Sequence, residues 1–282
     1  MEIIRTISEM RTAVRKARLE GGTVGLVPTM GYLHKGHLSL ISRATQANRL
    51  VVVSIFVNPL QFGPEEDFGS YPRDLEGDCA LAAQAGADII FAPAVEEMYP
   101  GKTLTQVEVA LLGDWLCGRS RPGHFRGVTT VVSKLFNIVQ PDKAYFGEKD
   151  AQQLAIIKQM VLDLNFPVEI VPVSIVREED GLAMSSRNVY LSAQARSDAL
   201  VLNGALQQAR RLYGAGERNS AKIRQEMLKM IEDAPGANVD YVEICDRSNL
   251  QPIESIDKGA LVAVAVRFGK TRLIDNITLT EV

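Results

Sequence analysis

The chain has 282 residues, 46% of them hydrophobic and 23% charged, with a formal net charge of −3. That length allows one large or two ordinary domains burying roughly three quarters of the unfolded surface, and the mild acidity argues against a protein built to track nucleic acid. Three well-separated cysteines (Cys79, Cys117 and Cys245) read as reduced thiols, and with no signal peptide opening at Met1 and no apolar stretch of about 20 residues the expectation is a cytoplasmic protein with no membrane partner.

Residues 8–19 read as an amphipathic helix capped by Ser8 and stopped by Gly21-Gly22. Residues 24–27 (Val-Gly-Leu-Val) form a short buried strand, which Pro28 should end because it has no N–H for a ladder. From His37 the apolar residues Leu38, Leu40 and Ile41 take up helical spacing. Between strand and helix lies a glycine-punctuated loop holding His34 and His37 in the pattern His-x-Gly-His. Such a loop, entering a helix N-terminus, offers backbone N–H groups to anions, phosphate above all. A bare His-x-Gly-His is as readily a surface pair or a fortuitous metal pair. Here two of the chain's three histidines flank one glycine, and no Cys, Asp or Glu at ligand spacing accompanies them, which speaks against zinc.

Residues 50–57 are a nearly unbroken β-branched run of the kind found in parallel sheets covered on both faces. They lead into a polar, glycine-bearing loop at 58–64. Residues 74–85 read as a helix, 88–92 as a strand, 128–139 as a helix, 143–147 as a strand, 152–164 as a helix and 168–173 as a strand. This alternation predicts an α/β architecture, a doubly wound, mainly parallel sheet with right-handed crossovers. Ligands of such sheets bind beyond the carboxyl ends of the strands, where the strand order reverses. From Arg177 the texture changes to helices at 193–213 and 220–233, then strands at 239–245, 260–268 and 271–280 with a hairpin turn at 268–271. The expected organisation is therefore a domain over 1–176 and a smaller α+β domain over 177–282.

Two further loops follow strands. Gly147-Glu148-Lys149-Asp150 offers a lysine that can pair with phosphates, and carboxylates that can cap the next helix, hold a ribose hydroxyl or hold Mg²⁺. On its own, an ordinary charged helix start explains it better. Met184-Ser185-Ser186-Arg187 offers two hydroxyls and a guanidinium to phosphate oxygens. Alone it is weak; coupled to His-x-Gly-His it is specific.

That coupling resembles the adenylate-forming nucleotidyltransferase superfamily, whose class I aminoacyl-tRNA synthetases carry a comparable histidine pair and a Lys-Met-Ser-Lys-Ser loop. This chain lacks both lysines of that loop and supplies Arg187. The segments PTMGYLHKGHLSLI, FVNPLQFGPEEDF, YPR, GHFRGVTTVV, FGEKDAQQL and GLAMSSRNVYL, in this order, look like the pantothenate synthetase (pantoate–β-alanine ligase) family, and the resemblance covers nearly the whole chain.

The resemblance implies a Rossmann-like fold of the His-x-Gly-His nucleotidyltransferase type, with the second domain covering the active site. It implies an AMP-forming ligase that joins D-pantoate to β-alanine through a pantoyl adenylate, with ATP as co-substrate and Mg²⁺ bridging phosphate oxygens. It also implies a homodimer. His34, His37 and Lys149 take the catalytic positions. Met30, Gly147, Asp150, Val176, Met184, Ser185, Ser186 and Arg187 match positions around ATP, and Gln61 and Gln153 match the pair that holds pantoate. Asn58 and Tyr71 fall on the β-alanine or phosphate side, Arg121 on a basic loop that reaches the substrates as a lid element or is simply solvated, and Asp78 is a candidate Mg²⁺ ligand. The rival readings are another adenylyl or cytidylyl transferase, which needs no Gln61–Gln153 pair, a synthetase fragment, which should carry a basic RNA-binding extension, and a non-catalytic nucleotide sensor.

Overall fold

Apolar residues in the first part of the chain alternate between two faces of one sheet. The computed structural model describes residues 1–64 and 66–280; Glu65, which falls within one of the motifs above, lies outside the described residues. In chain order the elements are β1 (Glu2–Ile4), α1 (Ile7–Leu19), β2 (Val24–Thr29), α2 (Lys35–Thr45), β3 (Leu50–Ile55), α3 (Leu75–Gln84), β4 (Ile89–Phe91), α4 (Val95–Met98), α5 (Cys117–Ser120), α6 (His124–Val139), β5 (Lys143–Gly147), α7 (Ala151–Asp163) and β6 (Glu169–Val173). The six strands are all parallel, in the order β1-β4-β3-β2-β5-β6. Val24, Leu26, Val52, Ile89, Phe91, Ala144 and Phe146 pack with Met10 of α1, Val132 and Phe136 of α6 and Ile157 of α7. The intervening residues Val27, Val51, Val53, Ile90 and Tyr145 pack on the other face with Leu40, Ile41 and Ala44 of α2 and Ala82 of α3. Side chains alternate along a strand, so continuous apolar runs are what a sheet covered on both faces requires.

Several boundaries differ from the sequence expectation for local reasons. β2 runs through Pro28 to Thr29. Val24 donates to Asp142, just ahead of β5, so by the two-residue period the N position of Pro28 faces the β5 side. Pairing with β5 has ended there, at Leu26, and no ladder donor is missed. The cap of α1 is Thr6 and not Ser8: its hydroxyl accepts from Glu9 N and donates to Glu9 Oε2. α2 begins two residues before His37, with His34 as its cap. α6 begins at His124, behind Gly123 at φ 81°; its first turn is polar and hides from apolar periodicity. The predicted helix over 193–213 is two, with the chain tightening at Leu200, whose N–H bonds Ser197 O three residues back. Edge strand β1, too short to signal itself, pairs with β4.

The chain forms two compact units, the first made of residues 1–113, 121–148 and 153–174, the second of 114–120, 149–152 and 175–282. The sequence expectation placed a single boundary at 176/177. The second unit contains α8 (Ala193–Ala199), α9 (Val201–Gly214), α10 (Ser220–Glu232), β7 (Ala237–Cys245), β8 (Ala260–Phe268) and β9 (Thr271–Leu279). Its strands form an antiparallel sheet β7-β8-β9. Val262, Val264 and Val266 of β8 pack against Leu202 and Leu206 of α9 and Ile223, Met227 and Ile231 of α10. Among the described residues no helix is long and apolar enough to cross a membrane.

Arg177 ties the start of the long second-unit segment to β9. Its guanidinium forks onto Asp275, Nη1 to Oδ2 at 2.6 Å and Nη2 to Oδ1 at 3.0 Å, and the Asp275 side chain is only 2% exposed. Removing one partner of a buried pair leaves an uncompensated charge, so Arg177→Ala should cost about 3 kcal/mol in urea unfolding, with a smaller loss for the double variant Arg177→Ala/Asp275→Asn.

Candidate active site

The strand order reverses between β2 and β5: β3 and β4 lie on one side, β6 on the other. The loop leaving β2 therefore stands at the switch point, where doubly wound sheets bind ligands. Thr29 Oγ1 donates to Ser54 O and accepts from Gly31 N. Gly31 and Tyr32 then turn the chain at φ 87° and 52°. His34 caps α2, its Nδ1 accepting from Gly36 N at 3.1 Å. His37, one turn in, accepts the His34 N–H on its own Nδ1 at 3.4 Å. The two rings lie 4.1 Å apart, tilted by 33°. A helix N-terminus and two imidazoles are thus gathered in one place, the arrangement anticipated for an anion.

Asp78, expected as a magnesium ligand, is engaged elsewhere. It is 3% exposed, and its oxygens accept the N–H groups of Tyr32 and Leu33 at 2.9 and 2.6 Å. Burial pushes its carboxyl above the usual range, against the pull of those two hydrogen bonds. The carboxylate is a brace for the histidine loop. Among the described residues no group of three or more His, Cys, Asp or Glu is placed to hold a metal.

Gln61 ends a single 3₁₀ turn, Pro59–Gln61, and is 8% exposed. Its Nε2 donates to Met30 Sδ at 3.1 Å, which brings together two of the predicted site residues. Asn58, expected to touch substrate, is 1% exposed and holds the turn. Its Oδ1 accepts from Leu60 N and Tyr99 Oη, and its Nδ2 donates to Gln61 Oε1 and to Gly127 O. Tyr71, also expected near substrate, is 6% exposed with its ring edge-on to Phe62. Arg121, expected as a lid element or a solvated residue, has a side chain only 15% exposed. Its guanidinium forks onto Glu66 (2.7 and 2.5 Å) and reaches His124 Nε2 at 3.0 Å and the Gln61 carbonyl at 3.4 Å. His124 Nδ1 bonds the same carbonyl at 2.8 Å. Gln153 is half-buried at the start of α7, and Gly147 ends β5 with open space where a Cβ would stand.

The remaining predicted residues belong to the second unit. Met184 N donates to Val176 O, and Arg177 bridges Ala183 antiparallel, so Val176 and Met184 are adjacent. Ser185 caps the short 3₁₀ helix Ser186–Tyr190, its Oγ accepting from Arg187 N; Ser186 is buried and Arg187 half-buried. Lys149 is half-buried and Asp150 exposed. The Lys149 carbonyl accepts from Asn276 Nδ2 at 2.9 Å.

Sequence reasoning missed the residues that hold this machinery: Glu66, His124, Gly127 and Asn276, and the bracing roles of Asp78 and Asn58. Gly127 lies just ahead of the helix read at 128–139 and falls inside α6 only in the structure. A Cβ there would lie 2.3 Å from Leu60 O and 2.7 Å from Gln61 Cα, so α6 meets the Gln61 turn backbone to backbone.

The family model for pantoate-beta-alanine ligase matches residues 2–278. The pantothenate synthetase of Desulfitobacterium hafniense (strain DSM 10664 / DCB-2) is 58% identical over 279 residues, 99% of each chain, and that of Moorella thermoacetica is 59% identical over 279 residues, again 99% of each. The crystal structure of pantothenate synthetase from Thermus thermophilus superposes with a TM-score of 0.94 at 50% identity, covering 98% of this chain and 99% of that one. Pantoate-beta-alanine ligase from Francisella tularensis, crystallised with beta-gamma ATP and beta-alanine, gives 0.82 at 34% identity, covering 98% and 97%.

Two outcomes follow from the packing around Gln61. Gly127→Ala should lower stability by about 1–3 kcal/mol in urea unfolding, because backbone and not a flexible side chain must yield. The Glu66 carboxyl is shifted upward by burial and further downward by the Arg121 hydrogen bond and charge, for a net depression. Its contribution is therefore complete above the ordinary carboxyl value of about 4.3 and lost as pH falls through the depressed folded value. The stability difference between wild type and Glu66→Gln should stay level from about pH 8 to 5 and shrink below that ordinary value.

Proposed function

The chain belongs to the pantoate–β-alanine ligase family, and from that premise we propose that His34, His37, Lys149 and the Ser185–Ser186–Arg187 loop carry its reaction on ATP, with Gln61 and Gln153 holding pantoate. The family's reaction is the ATP-dependent condensation of pantoate with β-alanine, releasing AMP and pyrophosphate. A carboxylate and an amine do not condense unaided. The pantoate carboxylate attacks the α-phosphorus, pyrophosphate leaves with the α–β bridging oxygen, and the amine of β-alanine then displaces AMP from the pantoyl adenylate while losing a proton. No group on the protein is acylated, so the chain's task is positioning and charge stabilisation.

The observation that carries this reading is the reciprocal histidine cap at the switch point of the sheet. There the α2 amides and the imidazoles donate to phosphate oxygens as charge builds in the transition state. Lys149 neutralises the departing pyrophosphate as a point charge. The two serine hydroxyls and Arg187 bond the β- and γ-phosphates. Met30, Gly147, Val176 and Met184 line adenosine, and the open space over Gly147 is room a nucleotide can use. Asp150 accepts from ribose hydroxyls. Gln61 and Gln153 bond the pantoate hydroxyl and carboxylate without a cation that would trap the nucleophile. Gln61 is supported in this role by its contact with Met30. In place of the direct contacts first expected for them, Asn58 and Arg121 act through the Gln61 turn that they hold, while Tyr71 packs beside Phe62.

Mg²⁺ suits this set of residues as an ion carried on the phosphates. It is a hard cation that keeps most of its water and takes few protein ligands, and the Asp78 oxygens are turned to backbone. Its chemistry is to screen the phosphate charge. A homodimer in the cytoplasm completes the reading.

The test is ATP–pyrophosphate exchange with Mg²⁺ and pantoate in the absence of β-alanine. Pantoate-dependent exchange, followed by AMP and pantothenate once β-alanine is added, is the expected result; no pantothenate with folded protein would sink the reading. His37→Ala and Lys149→Ala should each lower kcat by about 10²–10³-fold with unchanged circular dichroism.

A further inference from the structure

The loop after β2 contains a chain of hydrogen bonds that decides which nitrogen of each histidine carries its proton. Asp78 occupies the first turn of α3, buried, with one oxygen on each of the consecutive amides of Tyr32 and Leu33. Only a glycine at position 31 lets the carboxylate come so near, since a Cβ there would stand 2.8 Å from Asp78 Oδ2. Tyr32 is thereby held at φ 52°, a conformation that non-glycine residues avoid. The next residue, Leu33, is buried among Leu40, Ile41 and Val53, and the chain enters His34 extended, at φ −141° and ψ 174°. That entry aims the His34 N–H at His37 Nδ1 and sets His34 Nδ1 against Gly36 N–H.

We propose that Asp78 is a positioning residue for the ligase reaction, holding the loop so that both His34 and His37 meet ATP as neutral imidazoles with the proton on Nε2. The proposal rests on the family reading of the site. A ring nitrogen that accepts a hydrogen bond carries no proton, and a neutral imidazole has one donor and one acceptor nitrogen. Each Nδ1 here accepts from a backbone amide, so each Nε2 is the donor, and neither ring can become an imidazolium without giving up its cap. The chemical gain is selectivity for the transition state. A neutral donor binds ground-state phosphate modestly and strengthens as negative charge gathers on the oxygens around the α-phosphorus. The donors would also not have to be generated by protonation at neutral pH.

The test is a long-range ¹H–¹⁵N spectrum of the ¹⁵N-histidine-labelled, ligand-free protein at pH 7.5. The chain has three histidines, so His124→Gln and His37→Gln samples complete the assignment. The expected result is the Nε2–H pattern for both His34 and His37. An imidazolium or an Nδ1–H tautomer on either ring would overturn the proposal, and because no turnover is involved this outcome is separate from any failure of the ligase reading, which shows as absence of pantothenate. Asp78→Asn, whose amide cannot accept both N–H groups, should give mixed tautomers and lower kcat by about tenfold to a hundredfold while KM for ATP moves less than about threefold. A folded Asp78→Asn protein with an unaltered histidine spectrum and unaltered kcat would remove the aspartate from the scheme. Should that variant fail to fold, the wild-type spectrum decides.

Discussion

A strand that runs straight into a helix leaves a row of backbone N–H groups with no ladder and no turn to bond. In this chain side chains take them almost residue by residue. Gly31 donates to Thr29, Tyr32 and Leu33 to Asp78, His34 to His37, and Gly36 to His34. The satisfaction of these amides places the imidazoles, so structural need and the proposed chemical function use the same atoms. Rotating either histidine away from its cap orphans an amide, an expensive act in a part-buried loop. The site is accordingly prepared before any substrate arrives.

The same economy recurs wherever a functional backbone must be held. Asn58 uses its side-chain amide to tie the turn that carries Gln61 to Gly127 of α6 and to Tyr99. Arg121 and His124 converge on the Gln61 carbonyl. In the second unit Asn276 holds the Lys149 carbonyl, and the Arg177–Asp275 fork anchors the segment that leads to Met184. In the proposed site the histidine loop, the Gln61 turn and the Lys149 backbone are held by three buried polar side chains, Asp78, Asn58 and Asn276. That arrangement matches what catalysis by positioning demands, since a loosely held donor contributes little.

The two-faced sheet was legible in the sequence because β-branched runs such as residues 50–55 have no other economical use, and the antiparallel unit because residues 260–268 and 271–279 flank a glycine turn. His34 and His37 were legible because a glycine separates them at a strand's end. What stayed hidden is choice of partner. Asn58 meets Gly127 across 69 residues and Arg121 meets Glu66 across 55, and no local spacing records such pairings. The family resemblance implied substrate-side positions for Asn58 and Arg121 and a metal for Asp78, and the structure shows each bonded within the fold. The first turn of α6 was hidden for a different reason: its polar His124 and Arg126 break the apolar rhythm that begins at Val128.

The division into units constrains how such a protein can be inherited. The chain passes from one unit to the other after Gly113, Ser120, Glu148, Gln152 and Ser174. Neither unit is a continuous stretch of sequence. A gene segment ending at any of these points would strand short but essential pieces: Cys117, whose Sγ lies against Tyr241 and Arg272, or the Lys149 backbone held by Asn276. A family model that matches residues 2–278 spans every one of these crossings.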